Sequence, residues 1–325
     1  MGVTSGGPED REPDDGVSGI AGFTVRRVDC GAVRLAVHEG GPGEGPGERH
    51  GEGSRPPVIL LHGFPQTHMA WARVAPRLAE EFRVIVPDLR GYGGSDAPAD
   101  DAAHTVYSKR EMARDITGLM DALGITQAAV LGHDRGARVA YRLALDHPGR
   151  VSRVGILEVV PTGDFWAAWN ADLSMKAYHW TFLAQPAPLP EQLIGGAAVW
   201  WLERTLASWA LSGDLSAFDP AALEDYRAQI AAPERLAALC ADYRAGATTD
   251  RRIDEEDRAK GRKILVPLQF LWADRGFPAR TGDPLGLWRG WAPEVTGMSC
   301  TAGHFVMEEN PEAVLACFEP FLREG

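Results

Sequence analysis

The apolar run Ala128-Ala129-Val130-Leu131 passes directly into Gly132-His133-Asp134-Arg135-Gly136. A buried strand that ends in Gly-x-Asp-x-Gly and opens a helix constrains the fold more than any other segment. It demands a strand, a sharp turn and a helix in immediate succession, with glycines that let the turn tighten and lift the central side chain clear of the sheet. Such a turn commonly presents Ser; here it presents Asp134. A carboxylate in that place suits attack on a saturated carbon, because the product is an ordinary ester that water can cleave. Attack on an acyl carbon would give an anhydride instead. Arg135 and Arg138 follow within one helical turn and lie on roughly one face beside Asp134, which points to an anionic substrate.

Around this unit, strands and helices alternate. Residues 23–38 read as a pair of strands, and Val58-Ile59-Leu60-Leu61 as a short buried strand ending at His62-Gly63-Phe64-Pro65. A helix is expected over 70–80, a strand over 83–86 and a further strand over 154–159. Met112, Ile116, Met120 and Leu123 recur at helical spacing and predict a helix over 109–123. Continuous apolar strands alternating with helices predict an α/β fold with a mostly parallel, doubly wound sheet. The alternation stops at Pro161. Residues 162–255 read as helical and rich in aromatics, a cap inserted into the α/β layer. Strand character returns over 264–272 and 295–300, and a closing helix is expected over 311–322. The expected organisation is a core of residues 22–161 and 256–325, a helical cap of 162–255, and a Gly-, Pro- and acid-rich tail, 1–21, that is disordered.

The chain carries 45 acidic against 33 basic residues, a formal net charge of −12, which argues against nucleic acid and anionic membrane surfaces as partners. An anionic substrate therefore needs a local cationic pocket. Cys30, Cys240, Cys300 and Cys317 are scattered without metal-ligand spacing, which fits a reducing cytoplasm. No apolar run has the length of a signal peptide or of a membrane span.

Five segments, His62-Gly63-Phe64-Pro65-Gln66, the Asp134 elbow with Arg135 and Arg138, His179-Trp180, Tyr243 in Ala241-Asp242-Tyr243-Arg244, and Gly303-His304-Phe305, resemble the fluoroacetate (haloacetate) dehalogenase family of α/β-hydrolases. The resemblance covers nearly everything after residue 22. It implies hydrolytic dehalogenation of a short 2-haloacid through a covalent ester on Asp134, with His304, after the last predicted strand, activating water. Backbone N–H groups of Phe64 and Arg135 would form the oxyanion hole. Arg135 and Arg138 would bind the substrate carboxylate, and His179, Trp180 and Tyr243 the halide. Asp, His and water complete this chemistry, so no metal and no organic cofactor is expected. Two carboxylates compete to orient His304. Glu158 matches the family's acid, usually Asp, after the strand that follows the elbow; Asp274 lies near the other common location, whose Leu-Trp-Gly-x-x-Asp pattern would put the acid on Gly276. The resemblance favours Glu158 and also implies a homodimer. The alternative function is an epoxide hydrolase with the same nucleophile and base. Tyr243 with Tyr178 or Tyr226 would then protonate the ring oxygen, leaving Arg135 without a rationale. Lys176, one turn before His179, reads as a solvated surface lysine.

Overall fold

Eight strands form the central layer of the computed structural model, which describes residues 19–42 and 57–324. They are β1 (Thr24–Asp29), β2 (Arg34–Gly40), β3 (Val58–Leu61), β4 (Val84–Pro87), β5 (Ala128–His133), β6 (Val151–Leu157), β7 (Leu268–Ala273) and β8 (Val295–Cys300). Their order in the sheet is β1-β2-β4-β3-β5-β6-β7-β8. The β1–β2 and β2–β4 pairings are antiparallel; every later pairing is parallel. Every residue of β3, β4 and β5 is buried, as a parallel sheet covered by helices on both faces requires.

The helices follow from local signals. Ser108 caps the helix Lys109–Ala122 by accepting from Glu111 N–H, and its apolar stripe, Met112, Ile116, Leu119 and Met120, is buried. The elbow helix Arg135–Asp146 is buried from Arg135 to Leu145. Between β6 and β7 the chain leaves the sheet and runs through helices from Thr162–Ala167 to Thr249–Ala259. This helical layer covers the end of the sheet at which β5 and β6 terminate, so the cap and the strand ends face one another.

Two local expectations differ from the structure. The helix expected over 70–80 is broken into a 3-10 turn, His68–Trp71, and one turn of α-helix, Ala75–Leu78. Pro76 lacks the N–H that a continuous helix would need and instead sits in the first turn of the second piece. Residues 1–18 of the tail lie outside the described residues, but the ordered chain begins before residue 22, because Ile20 is buried in the core.

Candidate active site

Asp134 sits between the last residue of β5 and the first of the elbow helix with φ 48° and ψ −114°, a conformation that a residue with a side chain adopts only when its surroundings enforce it. The flanking glycines serve space rather than torsion. A methyl on Gly132 would come within 2.5 Å of Gly136 O, and one on Gly136 within 2.3 Å of His62 O. The helix can thus fold back over β5 and β3 and push Asp134 forward. Phe64 N–H donates to Asp134 Oδ1 at 2.9 Å, leaving Oδ2 as the outward oxygen. Arg135, first residue of the helix, has no partner within the helix for its N–H. Burial pushes the Asp134 carboxyl up, but His304, His133 and the guanidinium groups of Arg135 and Arg138 outweigh it and hold it below the usual carboxylate range. The elbow carries an ionised carboxylate.

His304 stands over it. Its Nε2 lies 3.7 Å from Asp134 Oδ2, and its Nδ1 lies 3.7 Å from Glu158 Oε1. These are distances that tighten readily when a substrate fills a site. Burial, reinforced by His133, pushes His304 well below the ordinary histidine range, so the imidazole is neutral and able to accept a proton. Glu158 follows β6 with φ 62°, a second strained acidic residue at the end of a neighbouring strand. It accepts from Ala273 N–H at 2.7 Å and Phe277 N–H at 3.0 Å. Burial drives its carboxyl up, and these two donors work against that shift.

The two candidate acids have different surroundings. Asp274 is exposed and, among the described residues, accepts from Thr301 Oγ1 at 3.4 Å. The backbone at Gly276 instead leaves room for Glu158: a Cβ there would lie 1.6 Å from Glu158 Oε1. The Glu158 carboxyl fills the space that an acid at position 276 would have entered, and its extra methylene spans the distance from β6.

The two arginines have unequal surroundings. Arg135 is completely buried and bound to the cap residue Asp242: Nε to Oδ2 at 3.0 Å, Nη2 to Oδ1 at 2.5 Å and Nη2 to the backbone oxygen at 2.6 Å. The same carboxylate accepts from Lys109 Nζ and from Tyr92 O–H at 2.7 Å. Arg138 donates to Val160 O at 3.1 Å and Thr162 Oγ1 at 2.9 Å. Among the described residues, each arginine retains a buried N–H with no partner, Nη1 on Arg135 and Nε on Arg138. The cap supplies aromatic faces to both. Trp180 lies 4.6 Å from the Arg138 guanidinium carbon and 5.6 Å from that of Arg135, and Tyr243 lies 4.5 Å from that of Arg135.

A cavity of about 280 Å³, mouth included, is lined by Asp134, Arg138, Glu158, His179, Trp180 and His304 together with Val159, Val160, Phe165, Phe277 and Pro278. Arg135 and Tyr243 are not among its lining. Tyr243 packs behind it, with ring centroids 5.4 Å from His179 and 5.9 Å from Trp180. Burial lowers His179 to about 3, keeping it neutral, and its Nδ1 has no partner. Burial, then the charge of Asp134, raises Tyr243 well above the usual phenol range, so it retains its proton. Lys176, expected to be solvated, is half-buried and donates to Ser208 O at 2.5 Å. With Arg275 it lines a narrow surface cleft that shares Phe277 and His304 with the first.

The residue set best suited to a metal is elsewhere, in the buried trio His38, His68 and Asp88. The His38 and His68 rings stack with centroids 3.6 Å apart and planes 15° from parallel. Lone pairs in parallel stacked planes do not converge on one ion at the ~2.0–2.1 Å that imidazole ligands need. His68 Nδ1 instead pairs with Asp88 Oδ1 at 2.9 Å.

Asp242, Lys109 and Tyr92 were not singled out from the sequence. Asp242 adjoins Tyr243 in Ala241-Asp242-Tyr243-Arg244, and that adjacency was the available signal.

An elbow carrying a charged residue, a histidine on the loop after the last strand, and an acid on a neighbouring strand define a hydrolase of the α/β type. Residues 56–311 match the α/β hydrolase fold model, and the chain belongs to that family. Among its relatives is the fluoroacetate dehalogenase of Burkholderia sp., 37% identical over 307 residues that cover 94% of this chain and 95% of that protein. The soluble epoxide hydrolase of Corynebacterium sp. (strain C12) is 32% identical over 269 residues, covering 81% of this chain and 88% of that one. The crystal structure of ALR0039 from Nostoc sp PCC 7120 superposes with a TM-score of 0.86 at 42% identity, covering 93% of this chain and 99% of that one.

Proposed function

We propose that this hydrolase cleaves the carbon–halogen bond of a short 2-haloacid such as fluoroacetate. Asp134 Oδ2 attacks the halogen-bearing carbon in line, the halide leaves with the bonding pair, and an aspartyl ester forms. His304 Nε2 then takes a proton from water as the oxygen adds to Asp134 Cγ. The charge gathering on Oδ1 falls on Phe64 N–H, which already points there, and on Arg135 N–H. Collapse of this adduct expels the hydroxyacid oxygen, which recovers the proton from His304, and leaves Asp134 as the acid, whose remaining water proton passes to solvent to restore the carboxylate. Glu158 orients the imidazole from its Nδ1 side.

The observation that carries this reading is Arg138, which lines the cavity with Asp134 and keeps an Nε–H without a partner among the described residues, with the buried Arg135 behind it. Two like charges about 4 Å apart repel by roughly 4 kcal/mol at an effective dielectric constant near 20. An anionic nucleophile facing an anionic haloacetate therefore needs cations close by, in a protein whose net charge is −12. Asp242 offsets Arg135 and Asp134 offsets Arg138, so Lys109, which also donates to Asp242, is the cation in excess around the site. His179 and Trp180, with Tyr243 behind them, offer neutral N–H and O–H donors to the departing halide, where the charge appears.

The epoxide reading asks for two tyrosines at the ring oxygen. Only Tyr243 stands near the nucleophile; Tyr226 O–H donates to Glu308 Oε1 at 3.2 Å, and Tyr178 is 42% exposed. The deciding assay measures halide released from fluoro-, chloro- and bromoacetate beside diol formed from a neutral epoxide. Halide without diol is expected; diol without halide would replace this reading with the other.

A further inference from the structure

We propose that Glu309 is a positioning residue for His304: one carboxylate fastens both flanks of the histidine loop and ties that loop to the cap. The inference rests on the two-step ester mechanism above. Glu309 ends the short helix Val306–Glu309, just after the loop. Its Oε2 accepts from Gly303 N–H at 2.9 Å and from Leu211 N–H, in the cap, at 2.7 Å. Its Oε1 accepts from Phe305 N–H at 2.9 Å. The residues immediately before and after His304 are thus held by the same charged group.

The histidine's own backbone is held from two other directions. His304 N–H donates to Trp209 O, again in the cap, at 2.9 Å, and His304 O pairs with His133 Nε2, beside the nucleophile, at 2.8 Å. The segment Trp209–Leu211 therefore contacts the loop twice, once at the histidine and once through Glu309. Hydrogen bonds to an ionised carboxylate are shorter and stronger than neutral ones, so removing the charge loosens all three of its contacts together. The loop has no helical or sheet ladder of its own to replace them.

The two chemical steps depend on this placement unequally. Ester formation uses Asp134 Oδ2 and the departing halide; no proton moves to His304. Ester hydrolysis requires His304 Nε2 within reach of a water aligned with Asp134 Cγ. Loosening the loop should slow the second step and leave the first nearly intact.

The test uses Glu309→Gln, which keeps the size of the side chain but leaves one acceptor oxygen for three N–H donors. With bromoacetate in rapid-quench experiments, the first equivalent of bromide should appear within about 2-fold of the wild-type rate, while steady-state turnover falls ~10- to 100-fold, as for a group displaced by about an ångström. Mass spectrometry should then find the ester accumulated on Asp134. Leu211→Pro, which removes the cap N–H alone, should show the same imbalance more weakly. Burst amplitude counts folded sites. Equal slowing of both phases, or lost amplitude without accumulated ester, would overturn the positioning role. If wild-type protein releases no halide but forms diol, the dehalogenation reading fails separately, and the same two phases are read from an epoxide, which also esterifies Asp134.

Discussion

The two walls of the cavity are built by different means. On the sheet side, reactive atoms are placed by backbone: Asp134 and Glu158 both take positive φ at strand ends, and their carboxyl oxygens accept from the N–H groups of Phe64, Ala273 and Phe277. On the cap side, placement comes from packing. His179, Trp180 and Tyr243 sit on helices, ring against ring, with Trp180 and Tyr243 also lying against the guanidinium groups of the core. The difference teaches where each kind of precision is used. Under the proposed reaction, bond formation, which tolerates little displacement, would be anchored to the sheet, and recognition of the leaving group would fall to side chains that can be exchanged.

The contrast can be broken most directly at the nucleophile. Asp134→Ala should lower halide release by about 10⁴-fold or more from every haloacetate, since the other carboxyl of the sheet wall, Glu158, is held by Ala273 and Phe277 N–H groups away from the elbow position. Residual turnover of bromoacetate but not fluoroacetate would mean that the cap carries more of the reaction than the geometry assigns it. A change in the cap should be smaller and should depend on the halide. Trp180→Phe is expected to slow fluoroacetate ~100-fold and bromoacetate by less than ~10-fold, because the poorer leaving group gains more from a hydrogen-bond donor. Equal losses would place Trp180 with the arginines as a packing surface instead.

The smallest effect concerns stability and spans both walls. Burial lowers His38 to about 3 and His62 to about 4 in the core, and His179 to about 3 in the cap. The unfolded chain takes up these protons near the ordinary histidine value of 6.5, whereas the folded one resists them. Stability from these groups is therefore complete above about pH 6.5 and declines as the pH falls toward the folded values. The thermal midpoint should drop by several degrees between about pH 7.5 and about pH 5. A flat or rising midpoint would show that the acidic residues, not the buried histidines, govern this range.

The parts legible in the sequence are those where chemistry and local backbone coincide. The elbow announces itself because glycines must flank the nucleophile, and His304 because a Gly-His-Phe loop follows the last strand. Pro76, at the start of the second of the two pieces found within 70–80, is equally visible in the sequence. What stayed hidden depends on distance along the chain. Arg135 and Asp242 are 107 residues apart, and Lys109 and Asp242 133 apart, so no window of local pattern joins them. The resemblance favours Glu158 over Asp274, but the close approach of Glu158 to Gly276 belongs to packing, which no local pattern shows.

That volume at Gly276 has a further side. The carboxyl of Glu158, as it is placed, leaves no room for a side chain at 276, since a single added carbon would stand 1.6 Å from the acid. A substitution at 276 must therefore displace the Glu158 carboxyl, and changes at the two positions are expected to be non-additive. Gly276 is thus a constraint on where Glu158 sits rather than a spacer in its loop.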